Sequence, residues 1–435
     1  MKTVDPTEHD HPIDVIVIGA GPAGSTTAAL LAEKGRNVVV LEKEKFPRYH
    51  VGESMMPFCW YTLERLGLAE KMDEIGFQQK HSVQFVTTDG KISKPFYFFQ
   101  HHDHPSSTTW QVERKVFDQM IADKARENGA TILEERKVAD VIRDDSGKVI
   151  GVNATGPDDR EETYFAPVVV DATGRDALVA SKSKWRTRDP KLNKISIWTY
   201  FEDAKRDPGL DAGATTVAYL PEKGWFWYIP MRDNRVSVGV VAERDYLYRE
   251  GETRDPAEIV DREIQENKWL ADHIAPGKQV GEYWVTGEYS YRSEFCADDG
   301  LILVGDAFAF LDPVFSSGVF LALKSGEMAA DAIDEALSDG DFSAKAFEPF
   351  GKKLCNHIEH MRKIVYAFYD EDFSFGKLIK KNPDLRGRLT DLLIGNLDGV
   401  DFEELFAAIG EICNLPEELD YGFRAKSREP EPALA

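Results

Sequence analysis

An α/β protein is predicted: a doubly wound parallel sheet, with an antiparallel sheet inserted into it and a helical C-terminal region. Three observations carry that expectation. Residues 13–18 form a short apolar, β-branched run that ends in Gly19-Ala20-Gly21-Pro22-Ala23-Gly24 and leads into a helix-forming segment. Two further apolar runs, at 168–171 and 301–304, each end in a glycine-bearing turn. Between about 190 and 295, short strand-like runs alternate with charged turns.

Taken in order, the strand at 13–18 is followed by a helix over 23–34, closed by Gly35 at its C-terminus, and by a strand over 37–41. Such a β-α-β unit opens a doubly wound sheet. Helices are expected over 55–66 and over 115–128, the second capped by Gly129. Segments 137–143 and 149–154, joined across Asp144-Asp145-Ser146-Gly147, predict a hairpin. The run 168–171 enters Ala172-Thr173-Gly174 as a second buried strand. Strands are then expected over 195–201, 215–220, 225–229, 236–241 and 279–288, with a helix near 256–267. The chain returns to the nucleotide domain through a strand at 301–304, Gly305-Asp306 and a long helix over 317–337. From about 343 to 420 the pattern is helical. The expected organisation is therefore a disordered tail (1–12), a nucleotide domain (13–190 and 296–340), an antiparallel-sheet substrate region (191–295), a helical C-terminal region (341–423) and a second disordered tail (424–435).

The balance of 53 basic and 76 acidic residues gives a net charge of −23 over 435 residues. That excludes a sequence-independent grip on nucleic acid, which needs a basic face to displace counterions, and docking on an anionic membrane. Cys59, Cys296, Cys355 and Cys413 show no C-x-x-C spacing, so neither a disulfide framework nor a zinc site is expected. His9 and His11 lie in the polar start, which reads as a frayed tail and not as a signal peptide or a metal site. The apolar stretch 13–32 is broken by three glycines and a proline and is no membrane span. The expected compartment is the cytoplasm, and no metal is expected.

The chemistry starts at the glycine loop. Gly19 permits the tight turn, Gly21 lets a pyrophosphate approach the backbone, and Gly24 lets helix and strand pack closely, with Ala23 opening the helix. Glu42, about 20 residues on, ends the second strand where a carboxylate would accept from ribose hydroxyls. Gly305-Asp306 and Asp171-Ala172-Thr173-Gly174-Arg175 are two further stations on the sheet. Their order resembles the FAD domain of the para-hydroxybenzoate hydroxylase-like superfamily. That resemblance implies that Asp306 holds the ribityl and pyrophosphate part of FAD, and that Arg114 and Val138 approach the cofactor. There is no second glycine fingerprint for a nicotinamide.

Four more segments narrow the family. Gly52-Glu53-Ser54, followed by Met55-Met56-Pro57, resembles a segment shared by flavin-dependent halogenases and geranylgeranyl-reductase-like flavoproteins. Trp225-Phe226-Trp227-Tyr228-Ile229-Pro230 matches W-x-W-x-I-P, the halogenase motif that lines the passage between flavin and substrate chamber. By periodicity alone, Trp225 and Trp227 share one face of a strand, as core residues also do. Lys80, 26 residues past Ser54, is in line with the lysine halogenases require at the chamber end of that passage. Phe310-Leu311-Asp312-Pro313-Val314-Phe315-Ser316-Ser317-Gly318 precedes the long helix, and in the family this helix N-terminus holds halide beside the flavin, with Ser317 and Gly318 as donors.

The chain thus resembles flavin-dependent halogenases over roughly residues 12 to 340. The resemblance implies FAD delivered as FADH2 by a separate NAD(P)H-dependent flavin reductase, and O2 and chloride or bromide yielding hypohalous acid. That acid would pass Trp225 and Trp227 to Lys80 and halogenate an electron-rich ring. Tryptophan halogenases carry a glutamate where Phe315 stands here, which points to activated rings, phenols before pyrroles, free or tethered to a carrier protein. A carrier protein is usually acidic, and this chain at −23 would repel one without a local basic patch. Residues 377–388, with Lys380, Lys381 and Arg386 close together, offer a candidate, although an exposed helix end is the simpler reading. A monooxygenase or prenyl reductase on the same fold, or a flavin carrier without turnover, remains open at this point.

Overall fold

A computed structural model of the chain describes residues 12–287 and 290–419. The expected tails, apart from Pro12, and the end of the strand expected over 279–288 lie outside the described residues. The central sheet has the order Ala297–Asp298, Leu301–Leu303, Val168–Asp171, Val15–Ile18, Val38–Leu41, Thr131–Leu133. Its pairings are parallel except at the Ala297–Asp298 edge. Val15–Ile18 is central, with Val15 between Val168 and Val38, and all four of its residues are buried. This is why the run is apolar throughout instead of alternating: helices cover both faces of such a sheet. The helix Pro22–Glu33 packs between Arg114–Glu127 and Ser317–Asp339. Small residues allow the second crossing. A Cβ on Gly326 would stand 2.5 Å from the Ala23 carbonyl oxygen, and Thr27 Oγ1 donates to the Gly326 carbonyl at 3.1 Å.

A seven-stranded sheet is built in the order Lys278–Thr286, Lys194–Glu202, Arg235–Glu243, Trp225–Pro230, Thr215–Tyr219, Ser82–Val86, Phe96–Tyr97. The antiparallel sheet expected between 190 and 295 is present, but it also recruits residues 82–97, and Thr215–Tyr219 pairs with Ser82–Val86 in parallel. Alternation along Trp225–Pro230 serves two cores. Trp225, Trp227 and Ile229 join the large core shared with the nucleotide sheet and the C-terminal helices. Phe226 and Tyr228 join a second core under Pro256–Gln265 and Lys268–Ile274.

Local differences from expectation have local causes. The helix expected from residue 55 begins at Cys59, because residues 55–58, with Pro57 among them, first turn to bury Met55 and Met56. The helix expected over 256–267 ends at Gln265. Asn267 then caps a second helix, its side chain accepting from the Leu270 N–H. The hairpin Lys137–Arg143 and Val149–Thr155 gains a third strand, Glu161–Phe165. The C-terminal region is helical as expected, with Glu348–Tyr369, Phe375–Lys381, Arg386–Ile394 and Glu403–Gly410. Among the described residues no helix is long and apolar enough to cross a membrane.

Candidate active site

One cavity of about 980 Å³ runs from the glycine loop to the seven-stranded sheet. Gly19 has φ +99°, and a Cβ there would stand 2.6 Å from the Ala172 carbonyl oxygen. Gly24 faces the strand, where a Cβ would approach the Gly19 carbonyl oxygen to 2.0 Å. Gly21 instead opens on the cavity, with only Arg48 Nη2 within 4 Å of a Cβ position, at 3.7 Å. Only glycine fits at Gly19 and Gly24, and with Gly21 open between them the result is a bare backbone surface at a helix N-terminus. Glu42 accepts the Ala20 N–H through Oε2 (2.8 Å) and the Glu44 N–H through Oε1 (2.9 Å), which fixes its carboxylate at the cavity edge.

The opposite wall is held by ion pairs. Arg114, first residue of its helix, bonds Asp118 through Nε (2.7 Å) and donates through Nη1 to the Val51 carbonyl (2.8 Å). It thereby fixes the loop at Gly52, whose φ is +107°. Arg48 supports the same Asp118 at 2.9 Å. Glu53 is buried and accepts from the Tyr200 hydroxyl at 2.7 Å; burial pushes its carboxyl up from the ordinary value. Burial likewise pushes Asp306 up to about 6, against the opposing pull of Arg175 and Arg114. Asp171 is satisfied within its own turn by Thr173 and the Val179 N–H, so Thr173, Gly174 and Arg175 face the cavity instead.

Lys80 stands behind this wall. It lies on Gln78–Lys80, a strand paired with Thr109–Gln111, and is 2 % exposed. Its Nζ donates to Ser54 Oγ (2.9 Å) and the Met55 carbonyl (3.0 Å), and lies 5.8 Å from the Phe98 ring centre. These partners are all uncharged, so burial lowers the amine to about 7. Ser54 Oγ is in turn 2.8 Å from Thr215 Oγ1, and both residues line the cavity.

Trp225 and Trp227 also line it. Trp227 Nε1 donates to Ser237 Oγ (3.0 Å), and Trp225 Nε1 donates to the Tyr369 hydroxyl (2.8 Å). Tyr369 passes the contact on to Asp312 Oδ2 (2.8 Å), in the loop before the long helix. Burial raises Asp312 to about 6. At the start of Ser317–Asp339, Ser316 has φ +58°, Ser317 Oγ is buried without a hydrogen-bond partner, and a Cβ on Gly318 would meet nothing within 4 Å. A bare, cavity-facing helix start beside an unused hydroxyl suits an anion.

The cavity brings together Gly19, Gly21, Ala23, Glu42, Gly52, Glu53, Ser54, Arg114, Val138, Gly305, Asp306, Trp225, Trp227 and Gly318. Gly24 and Ser317 stand just outside its lining, and Lys80 is one residue behind it. Phe315 is turned away, packed with Phe368 (5.8 Å) and Phe375 (6.1 Å) of the C-terminal region. Sequence reasoning missed Arg48, Asp118, Tyr200 and Tyr369. Arg48, Tyr200 and Tyr369 are defined by partners more than fifty residues away, whereas Asp118 also bonds Arg114 four residues earlier on its helix, a spacing that could have marked it.

The chain matches the family described as tryptophan halogenase over residues 14–110 and 90–377. It belongs to that family, and it is a flavin-dependent halogenase that works with FAD and a halide. Among curated relatives, it is 33% identical over 392 residues to a 1H-pyrrole-2-carbonyl (peptidyl-carrier protein) brominase of Pseudoalteromonas luteoviolacea, covering 88% of this chain and 91% of that one. It is 31% identical over 409 residues to the corresponding chlorinase of Pseudomonas fluorescens, covering 89% and 90%. The solved structure of the flavin-dependent brominase Bmp2 superposes with a TM-score of 0.82 at 30% identity, over 92% of this chain and 98% of that one. Among the described residues no cluster of histidine, cysteine or acidic side chains could hold a metal.

Proposed function

We propose that this halogenase acts on an electron-rich pyrrole or phenol ring, with a pyrrole-2-carbonyl group held on a carrier protein as its first substrate class. The observation that carries the site assignment is the buried Lys80 amine, held only by uncharged partners directly behind the FAD cavity. Bound reduced FAD, delivered by a separate NAD(P)H-dependent flavin reductase in the cytoplasm, supplies with O2 the oxidant that converts halide into hypohalous acid. Gly19, Gly21, Ala23 and Glu42 hold its pyrophosphate and ribose, while Gly52, Arg114, Val138 and Asp306 border the rest. The Ser317 hydroxyl and the free N–H groups at Ser317 and Gly318 hold chloride or bromide. Trp225 and Trp227 keep the ring away from the flavin and water out of the passage. Lys80, poised near neutrality, takes the halogen on its unprotonated amine and presents it to the ring.

Three features support the substrate class. Phe315, in an apolar cluster, offers no carboxylate base, so the ring must already be activated. Both curated relatives named above act on carrier-bound pyrrole. Phe375, edge-to-face with Phe315, opens the helix that ends at the exposed Lys380 and Lys381; Lys381 pairs with Glu411, which leaves Lys380 and the neighbouring Lys377 as positive charge facing an acidic carrier.

The test supplies the chain with FAD, a flavin reductase, NADH and bromide. Three substrates are offered: a pyrrolyl-carbonyl carrier protein, free pyrrole-2-carboxylate and a phenol panel. Mass spectrometry should find bromine on the carrier-bound ring. Brominated free phenol beside untouched carrier would overturn the substrate class, and hydroxylated products without bromine would overturn the site assignment.

A further inference from the structure

Four tryptophans line up across the seven-stranded sheet. Trp225 and Trp227 sit two apart on one strand, with ring centres 6.2 Å apart, and both line the FAD cavity. Trp227 and Trp198 are 6.3 Å apart, and Trp198 and Trp284 are 6.4 Å apart. The last two are direct cross-strand partners. Trp284 is 39 % exposed and stacks on Tyr49 at 4.6 Å, itself 40 % exposed. The row therefore leads from the cavity wall to the surface through rings that are otherwise buried.

One glycine makes the row continuous. Gly239 is the partner of Trp227 on one side and of Trp198 on the other. A Cβ there would stand 2.2 Å from Trp227 Cζ2 and 2.6 Å from Trp198 Cβ. The indole of Trp227 thus lies across the bare backbone and reaches its neighbour. The N–H groups are also provided for. Trp198 Nε1 donates to the Tyr49 hydroxyl (2.8 Å), which is 2.8 Å from Tyr200, which donates to Glu53 (2.7 Å).

We propose that Trp225, Trp227, Trp198 and Trp284 form a path along which an electron vacancy leaves the flavin cavity for the protein surface, a one-electron activity separate from halogenation. Indole and phenol side chains can lose one electron without a metal, and rings in near contact exchange electrons readily. Trp225 or Trp227 gives one electron to the oxidised isoalloxazine ring when blue light excites it. Trp198 and then Trp284 refill the vacancy, which comes to rest on Trp284 or Tyr49. There the indole N–H or phenol O–H proton passes to water. A thiol in solution returns one electron and one proton, so the net change is one thiol oxidised by one electron for each electron given to the flavin. The cavity gains an exit for stray oxidation, and the flavin can be reduced under light without its partner reductase.

The test is flash photolysis of the FAD-loaded chain without oxygen, read as the absorbance of tryptophan and tyrosine radicals, and as flavin bleaching under steady blue light with a thiol. The natural chain should give a long-lived radical and thiol-dependent bleaching. Trp198→Phe and the surface change Trp284→Phe keep aromatic packing and should slow bleaching by about an order of magnitude. Gly239→Ala keeps all four rings but displaces Trp227, and should do the same. Trp269→Phe, whose ring packs with Tyr228 and His273 at the other core, should bleach as the natural chain does. Bleaching of the Trp198 and Trp284 variants at the natural rate, or no radical in the natural chain, overturns the proposal.

Discussion

At the scale of single residues, the role proposed for Lys80 sets stability against chemistry. Its amine is lowered from 10.5 to about 7 because burial penalises the charge and no carboxylate offsets it. The folded value lies below the unfolded one, so the unfolded chain binds more protons between about pH 7 and 10.5, and stability rises with pH across that window. The penalty at neutral pH is on the order of 4 kcal/mol. Lys80→Met keeps the volume and removes the charge, so it should stabilise the chain by roughly 1–3 kcal/mol once the bonds to Ser54 and Met55 are subtracted. The same variant should lose halogenation while keeping FAD, measured as flavin retained on gel filtration. In the natural enzyme, halogenation should rise with pH through about 7 as the amine loses its proton. A rate that falls across that range would mean that the ammonium, and not the amine, is the working form.

At the scale of elements, the start of the helix Ser317–Asp339 offers an unused hydroxyl beside free N–H groups. A hydroxyl that donates to an anion contributes roughly 1.5–3 kcal/mol, so Ser317→Ala should raise the KM for bromide by about tenfold or more. The thermal midpoint should hold or rise, because the variant removes a buried polar atom that has no partner in the protein. An unchanged bromide KM would move the halide elsewhere. This element was legible in the sequence, as were the glycine loop and the strand Trp225–Pro230, because each is written in a contiguous pattern whose physics is local. Gly19 and Gly24 meet two separate steric demands within six residues, and Gly21 between them leaves the cavity wall bare. The recruitment of Ser82–Val86 into the far sheet was not legible, since its parallel partner lies some 130 residues on and leaves no mark in the local alternation. Phe315 was legible as a missing carboxylate, but its turn toward Phe368 and Phe375 depends on helices that carry no motif.

At the scale of the molecule, those helices complete the site. Tyr369 ends the long C-terminal helix Glu348–Tyr369 and joins the two halves of the halogenase signature, accepting from Trp225 and donating to Asp312. Replacing it with phenylalanine leaves a buried indole N–H and one oxygen of a buried carboxylate unpaired, at about 1–3 kcal/mol for each such group. Without the phenol, the Asp312 carboxyl should move further above its present value of about 6. Since Asp312 also accepts the Val314 N–H and so shapes the turn that presents Ser316 and Ser317, Tyr369→Phe should raise the bromide KM while FAD affinity stays the same. Tyr366→Phe gives the comparison. That hydroxyl lies one turn earlier on the same helix and bonds Asp189 instead. It should cost similar stability and leave bromide KM unaltered. If the two variants shift bromide KM alike, the helix acts on the site only through overall stability. If Tyr369→Phe alone shifts it, the C-terminal region sets the geometry of the halide loop through one hydroxyl.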